Sequence, residues 1–217
     1  MEYLAGFDPG GKSGFGWALV EDNDTLPLKI VSAGVANHCD EAWESIANEL
    51  NNNQLVGASI DSPLYWGATT RVVDLTLRDE IAHLGAAVPH GTVQSPNSLR
   101  GACLVQGILI AKRVLSEFPN AEISECHPKV IIWQLGFATP DRHHNAVPID
   151  DFEQFIVMPD RPLLEHERDA VISTLSTWAM LHNAHGWDNL RNLDPNVYSP
   201  LGDGIGFWMP TLQRCKA

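Results

Sequence analysis

The sequence predicts an α/β domain built on one mixed sheet with helices on both faces. Three apolar runs precede the first helical pattern, as in an antiparallel meander, and helix and strand patterns alternate after it. The predicted meander strands are 3–8, 13–22 and 28–36, joined by a Gly-rich turn and a polar turn. A doubly wound nucleotide-binding fold would instead place a helix directly after the first strand.

The rest of the chain alternates between the two patterns. Residues 40–53 carry apolar side chains at i, i+3, i+4 and i+7 from Trp43, which predicts an amphipathic helix. The run 54–64 is apolar almost throughout, which is typical of a strand covered on both faces. Further helices are predicted at 69–85, 95–119, 128–136 and 164–184, and further strands at 121–127 and 202–210.

The length of 217 residues suits a single domain over 1–217. Within it, residues 137–164 are rich in Pro, Asp and His and are interpreted as a loop insertion. Residues 186–217 are interpreted as a C-terminal extension that carries the last strand.

Composition and charge exclude several classes of protein for this chain. A content of 44% hydrophobic residues indicates a globular chain and not a disordered one. The formal net charge of −13 argues against a broad basic surface for duplex nucleic acid. The four cysteines are scattered without a CxxC pair, so neither a zinc site nor a disulfide framework is indicated. With no signal-like or membrane-spanning run, we expect a cytoplasmic protein.

Two aspartates stand at the ends of apolar strands. Asp8 closes the first strand, and Asp61 follows the apolar part of 54–64. If these strands are parallel neighbours, both carboxylates lie at the carboxyl edge of the sheet, where open α/β sheets place their sites. Two close carboxylates repel each other, and a divalent cation relieves the repulsion. Oxygen ligands favour Mg²⁺ or Mn²⁺, so the sequence predicts such a site.

The last helix and the strand 121–127 add candidate ligands. His166 and Asp169 are three residues apart and project from one helix face. Glu125 ends its strand, and His127 points the same way two residues later. The predicted catalytic set is Asp8, Asp61, Asp169, Glu125 and His166, with Asp8, Asp61, Asp169 and His166 as metal ligands. Two ions about 3.5–4 Å apart can activate water and stabilise the leaving oxygen of a phosphodiester.

Several motifs resemble those of a known superfamily. The hairpin "AGFDPGGKSGFGWALV" (5–20) resembles the first hairpin of the ribonuclease H-like superfamily, especially of its Holliday-junction resolvases. "HERD" (166–169) is similar to the His-x-x-Asp pair that some of those resolvases carry on their last helix. The resolvases usually offer Glu on the fourth strand, where this chain offers Asp61.

A closer resemblance is to an uncharacterised family of predicted ribonuclease H-like nucleases. The shared motifs are an opening Asp hairpin, "IDSPL" (60–64), Arg-x-x-Asp-x-x-x-Arg (71–78), "ECHP" (125–128), "DA" (169–170) and a Gly-rich last strand. The resemblance implies a mixed sheet of a three-strand antiparallel meander plus two parallel strands. It also implies a metal-dependent nuclease that hydrolyses a nucleic-acid phosphodiester.

Each motif also has a structural interpretation. Asp8 can form an Asx-turn, and Asp61 can cap the bend before Pro63. Glu125 can form a salt bridge with Lys129 or a nearby arginine. The charged side chains of the segment 71–78 are predicted to form ion pairs on a solvated helix face.

Two other functions stay open at this stage. An actin-like ATP phosphotransferase shares the sheet topology and the opening Asp-Gly hairpin, although it needs a second similar domain for which this chain has no room. A non-catalytic ribonuclease H-like binding module is the other alternative. The sequence does not choose between DNA and RNA, or between a monomer and a homodimer.

Overall fold

The sheet at the centre of the molecule has eight strands within the described part of the chain. The structure is a computed structural model, and it describes residues 1–11, 13–67, 70–96, 101–195 and 197–212. The strands are β1 (Glu2–Asp8), β2 (Phe15–Glu21), β3 (Leu28–Ala36), β4 (Gln54–Ile60), β5 (Glu122–Glu125), β6 (Ile156–Val157), β7 (Trp187–Asn189) and β8 (Ile205–Pro210). Their order across the sheet is β6-β3-β2-β1-β4-β5-β8-β7.

The five central strands have the predicted arrangement. β1, β2 and β3 form an antiparallel meander, β4 lies parallel to β1, and β5 lies parallel to β4. This is the mixed sheet that the resemblance implies, so the predicted α/β fold class, with a meander followed by two parallel strands, is confirmed. The observed sheet is wider than the predicted one, because β8 pairs in parallel with β5, β7 pairs with β8, and the short β6 pairs with β3.

Helices cover both faces of the sheet, as predicted. They are α1 (Cys39–Leu50), α2 (Val72–His83), α3 (Pro89–Thr92), α4 (Gly101–Glu117), α5 (Pro128–Gln134) and α6 (Glu165–Leu181). Helices α1 and α4 pack on one face, around Phe7 and Trp43. Helices α6, α5 and α2 pack on the other face, around Leu175. Of the predicted helices 69–85 and 95–119, residues 69 and 97–100 lie outside the described residues.

The central strand β1 shows why the apolar runs are continuous. Leu4 belongs to the core beneath α6, whereas Ala5 and Phe7 belong to the core beneath α1 and α4. All three side chains are fully buried, because successive residues of a strand point to opposite faces and both faces are covered.

Helix α6 lies directly on the sheet at two glycines. A Cβ at Gly6 would lie 1.8 Å from the Ala170 carbonyl oxygen, and a Cβ at Gly16 would lie 2.1 Å from that of His166. Any side chain at either position would therefore overlap the helix backbone. The two glycines bring the first turns of α6 against the end of β1.

The region 137–164 contributes to the core as well as to the surface. It contains β6 and two 3₁₀ turns, at His144–Ala146 and Ile149–Phe152. Phe152 and Ile156 are fully buried in the core beneath α6. Among the described residues, no helix combines the length and the apolar character needed to cross a lipid bilayer.

Candidate metal centre

Three neighbouring strands end level with one another at the carboxyl edge of the sheet. The register pairs Phe7 of β1 with Ile60 of β4, and Ile60 with Glu125 of β5. The amide of Asp61 continues this pairing and donates to the Phe7 carbonyl at 2.9 Å. Asp8 and Asp61 therefore leave adjacent strands at the same level, as the strand-end argument predicts.

Asp8 is paired with a histidine of α6. His166 Nδ1 lies 2.6 Å from Asp8 Oδ2, and the Asp8 side chain is 14% exposed. Burial raises the pKa of Asp8 despite the hydrogen bond with His166, and the charge of Asp61 raises it further. The same hydrogen bond raises the pKa of His166. The structure thus brings two of the predicted site residues into direct contact.

Asp61 is paired with a different histidine. His127 Nδ1 lies 3.1 Å from Asp61 Oδ1. Burial disfavours the charged form of this imidazole, but the hydrogen bond and the charge of Asp61 outweigh burial and raise the pKa of His127. The other nitrogen, Nε2, is buried without a hydrogen-bond partner among the described residues. The contact with Asp61 therefore favours the charged form of His127.

Asp169 is buried at 1% exposure on the first turns of α6. Its Oδ1 accepts hydrogen bonds from Arg168 Nε and a terminal guanidinium nitrogen, at 2.9 and 2.6 Å. Its Oδ2 is buried without a hydrogen-bond partner in the described part of the chain, and Lys129 Nζ lies 3.7 Å away. Burial raises the pKa of Asp169 to about 7, and the Asp8 charge adds to the rise despite Arg168. One oxygen of this carboxylate is thus left for a cation.

The three aspartates interact electrostatically, but their side chains do not form a complete metal-binding site. The Asp61 charge acts on Asp8, and the Asp8 charge acts on Asp169. Within the described ranges, however, no group of three or more His, Cys, Asp or Glu side chains is placed to hold one metal ion. Asp8 and Asp61 turn towards His166 and His127 instead. The residues share one edge, and ligation of a common ion requires their side chains to reorient.

Glu125 is engaged elsewhere. Its side chain is fully buried, and both its oxygens accept hydrogen bonds from Arg71, at 2.7 and 2.9 Å. The salt-bridge interpretation of Glu125 describes this geometry, with Arg71 as the partner and not Lys129. The prediction of a solvated ion-pair face is wrong for Arg71 and Asp74, which are 2% and 0% exposed.

An open cleft of about 660 Å³ runs past the strand ends. Its wall includes Asp8, Asp61, His127, Lys129 and His166, together with the Gly-rich turn after β1 and part of the segment 88–94. The cleft thus offers carboxylates and imidazoles to a ligand, beside a half-buried lysine. This volume lies within the usual range for ligand-binding pockets and is large enough for a phosphodiester with its flanking sugars.

Two residues outside the predicted catalytic set, His127 and Lys129, also lie at the site. The two-residue spacing of His127 from Glu125 indicates that His127 lies at the same strand end, but it does not indicate the pairing with Asp61. Lys129 bridges Glu165 at 3.0 Å and approaches Asp169, a contact between α5 and α6 that no local pattern encodes.

No family model matches the chain, and no curated protein matches it. Among solved structures, T. thermophilus RuvC in complex with Holliday junction substrate matches 82% of this chain and 95% of its own, with 13% identity and a TM-score of 0.44. A second Thermus thermophilus RuvC structure matches 83% and 96%, with 14% identity and a TM-score of 0.42. The Fowlpox virus resolvase in complex with Holliday junction DNA matches 82% and 99%, with 14% identity and a TM-score of 0.40. At these identities the likeness is one of overall fold.

Proposed function

We propose that the chain is a cytoplasmic, divalent-metal-dependent nuclease that hydrolyses a phosphodiester of nucleic acid. Asp8, Asp61 and Asp169, with His166, would hold Mg²⁺ or Mn²⁺ at the sheet edge. The observation that carries the proposal is the convergence of these four residues, from two strands and one helix, on one edge of the sheet.

The donor set fits a hard divalent cation. The buried Oδ2 of Asp169 lacks a hydrogen-bond partner among the described residues, and burial of such an oxygen is costly unless a cation or donor satisfies it. Burial and a neighbouring carboxylate raise the pKa of Asp8 and of Asp169, and a bound cation would relieve this unfavourable negative charge. Carboxylate oxygens are the ligands that Mg²⁺ and Mn²⁺ prefer.

The residues of the chain would contribute in distinct ways. A bound divalent ion supplies neutralisation of the phosphodiester charge and a lower pKa for water in the site. Asp8 orients His166 through the 2.6 Å contact at Nδ1, and the imidazole, with 43% of its side chain exposed, lines the cleft. The ammonium of Lys129 lies on the same wall, where it offers a positive charge to a phosphate.

Calorimetric titration with Mn²⁺ tests the metal site. We expect binding by the unchanged protein and its loss in Asp8→Asn, which keeps the shape of the side chain and removes its charge. Asp22→Asn is the matched control, because Asp22 also pairs with a histidine, His182, at 3.0 Å. Asp22 lies far from the proposed site, since its backbone amide donates a hydrogen bond to the Glu2 carbonyl at the opposite end of β1. Equal Mn²⁺ affinity in Asp8→Asn and the unchanged protein would disprove the metal site.

Cleavage assays test the reaction itself. Single-stranded DNA, RNA, duplex and branched substrates are incubated with Mg²⁺ or Mn²⁺, and we expect hydrolysis of at least one class that Asp8→Asn abolishes. Metal binding without cleavage of any class would favour a non-catalytic binding module. Thermal stabilisation by ATP would favour the phosphotransferase alternative.

A further inference from the structure

A buried arginine ties the loop that carries Asp61 to its neighbours. Arg71, at the N-cap of α2, is 2% exposed. It donates two hydrogen bonds to Asp74, two to Glu125 and one to the Tyr65 carbonyl, at 2.6–3.0 Å. These bonds use all the guanidinium N–H groups, so the orientation of the side chain is fixed by its partners.

Glu125 shares its carboxylate between the arginine and the same loop. Its Oε2 accepts the Leu64 amide at 2.8 Å as well as an Arg71 N–H at 2.9 Å. Leu64 lies three residues after Asp61. The partner of Asp61, His127, lies two residues after Glu125 on the same chain end. Asp61 and its partner His127 therefore both lie within three residues of a position that is fixed at the buried Glu125 carboxylate.

We propose that Glu125, together with Arg71, is a positioning residue that holds the loop 61–66 and so fixes Asp61 at the sheet edge. The consequence for metal binding rests on the proposed function, whereas the anchoring of the loop does not. Glu125 thereby acts through Asp61 and does not itself ligate the ion.

Glutamine at position 125 is the sharpest perturbation. Both Glu125 oxygens are acceptors, whereas an amide offers one acceptor and one N–H₂ donor. In one orientation the amide nitrogen takes the Oε2 position and faces the N–H groups of both Leu64 and Arg71. In the other it takes the Oε1 position and faces an Arg71 N–H. One donor therefore meets another in either case. The loop loses its bond at Leu64, or Arg71, which holds the Tyr65 carbonyl of the same loop, loses a bond to residue 125.

Asp74→Asn is the matched control. It removes the other carboxylate of the same buried guanidinium, so it costs stability by the same mechanism. Among the described residues, the Asp74 carboxylate accepts its side-chain hydrogen bonds from Arg71 and contacts neither the loop nor β5 in this way. A merely structural role for the network would make the two variants behave alike.

Hydrogen exchange of the peptide that spans 61–66 is measured for the unchanged protein and both variants, with Mn²⁺ calorimetry in parallel. We expect exchange of the 61–66 peptide to rise by about tenfold or more in Glu125→Gln and to stay unchanged in Asp74→Asn, after correction for global stability. Mn²⁺ affinity should fall several-fold in Glu125→Gln only.

The outcomes separate the two proposals. Equal exchange of the loop in both variants, or no change in Glu125→Gln, overturns the positioning role whatever the metal result. Faster exchange in Glu125→Gln alone, with no Mn²⁺ binding by the unchanged protein, supports the anchoring and disproves the metal site. If Glu125→Gln does not fold, Glu125→Asp takes its place, because aspartate keeps the charge but is too short to reach Arg71 and Leu64 together. The same comparison of loop exchange with Asp74→Asn then tests the positioning role.

Discussion

Alanine at position 16 is expected to push α6 away from the sheet. A Cβ at Gly16 would lie 2.1 Å from the His166 carbonyl oxygen and 2.6 Å from its carbonyl carbon. Both obstacles are backbone atoms, so no side-chain rotation removes the overlap. Since non-bonded heavy atoms settle at about 3.5 Å, the helix and strand must separate by about 1 Å.

The separation has two measurable consequences. Overpacking of this kind costs about 1–3 kcal/mol of the free energy of unfolding. A shift of about 1 Å would also lengthen the 2.6 Å contact between His166 and Asp8 beyond good hydrogen-bond range. Because that contact raises the pKa of His166, the pKa should move back towards its ordinary value in Gly16→Ala.

Urea unfolding and the imidazole resonances of the histidines in NMR measure these changes. Gly204→Ala is the control, since a Cβ there meets no atom within 4 Å. It should leave the His166 resonances unchanged and stabilise the chain slightly, by about 0.4–1 kcal/mol, through the unfolded state. A Gly16→Ala protein as stable as the Gly204→Ala protein, with an unshifted His166 pKa, would refute the close helix–sheet contact.

Two further predictions concern stability. Burial lowers the pKa of His144 to about 4. As the pH falls, His144 is therefore protonated near pH 6.5 in the unfolded chain but only near pH 4 in the folded chain. The free energy of unfolding consequently falls as the pH is lowered from about 6.5 to 4. His144→Gln should flatten that fall in urea unfolding, and replacement of the exposed His185 should not. Asp194 accepts the first two amides of α2, at 2.7 and 2.9 Å. Asp194→Ala should therefore lower the free energy of unfolding by about 1–2 kcal/mol relative to Asp203→Ala, and equal values would contradict the cap.

Local patterns predicted the central strands because these are continuous apolar runs, and the main helices because these bury a regular apolar stripe. β3 is predicted at the observed residues 28–36, and the helical period of 40–53 identifies α1. The two-residue β6 has no period to detect. The place of β8 beside β5 was also beyond local reasoning, because parallel pairing joins segments far apart in the chain.

Strand-end logic placed Asp8 and Asp61 at one edge, but spacing cannot tell a buried charge from an exposed one. Arg71 and Asp74 stand at i, i+3, which is equally typical of a solvated pair and of the buried network observed here. The difference arises because Glu125, distant in sequence, lies within reach of the same guanidinium. The roles of the site residues in metal binding and catalysis stay predictions.

The edge of the sheet combines a fixed backbone frame with side chains that have alternative partners. Strand register, the glycine contacts of α6 and the Arg71 network hold the backbone on which the acids stand. Asp8 hydrogen-bonds His166 and Asp61 hydrogen-bonds His127. A divalent cation bound at this edge would supply positive charge to both carboxylates. Metal binding would therefore need rotation of the Asp8, Asp61 and His166 side chains and no change of fold. If the proposed site binds a cation, the cation would compete with protons for the Asp8 and Asp61 carboxylates and for His166, so its affinity would fall at low pH.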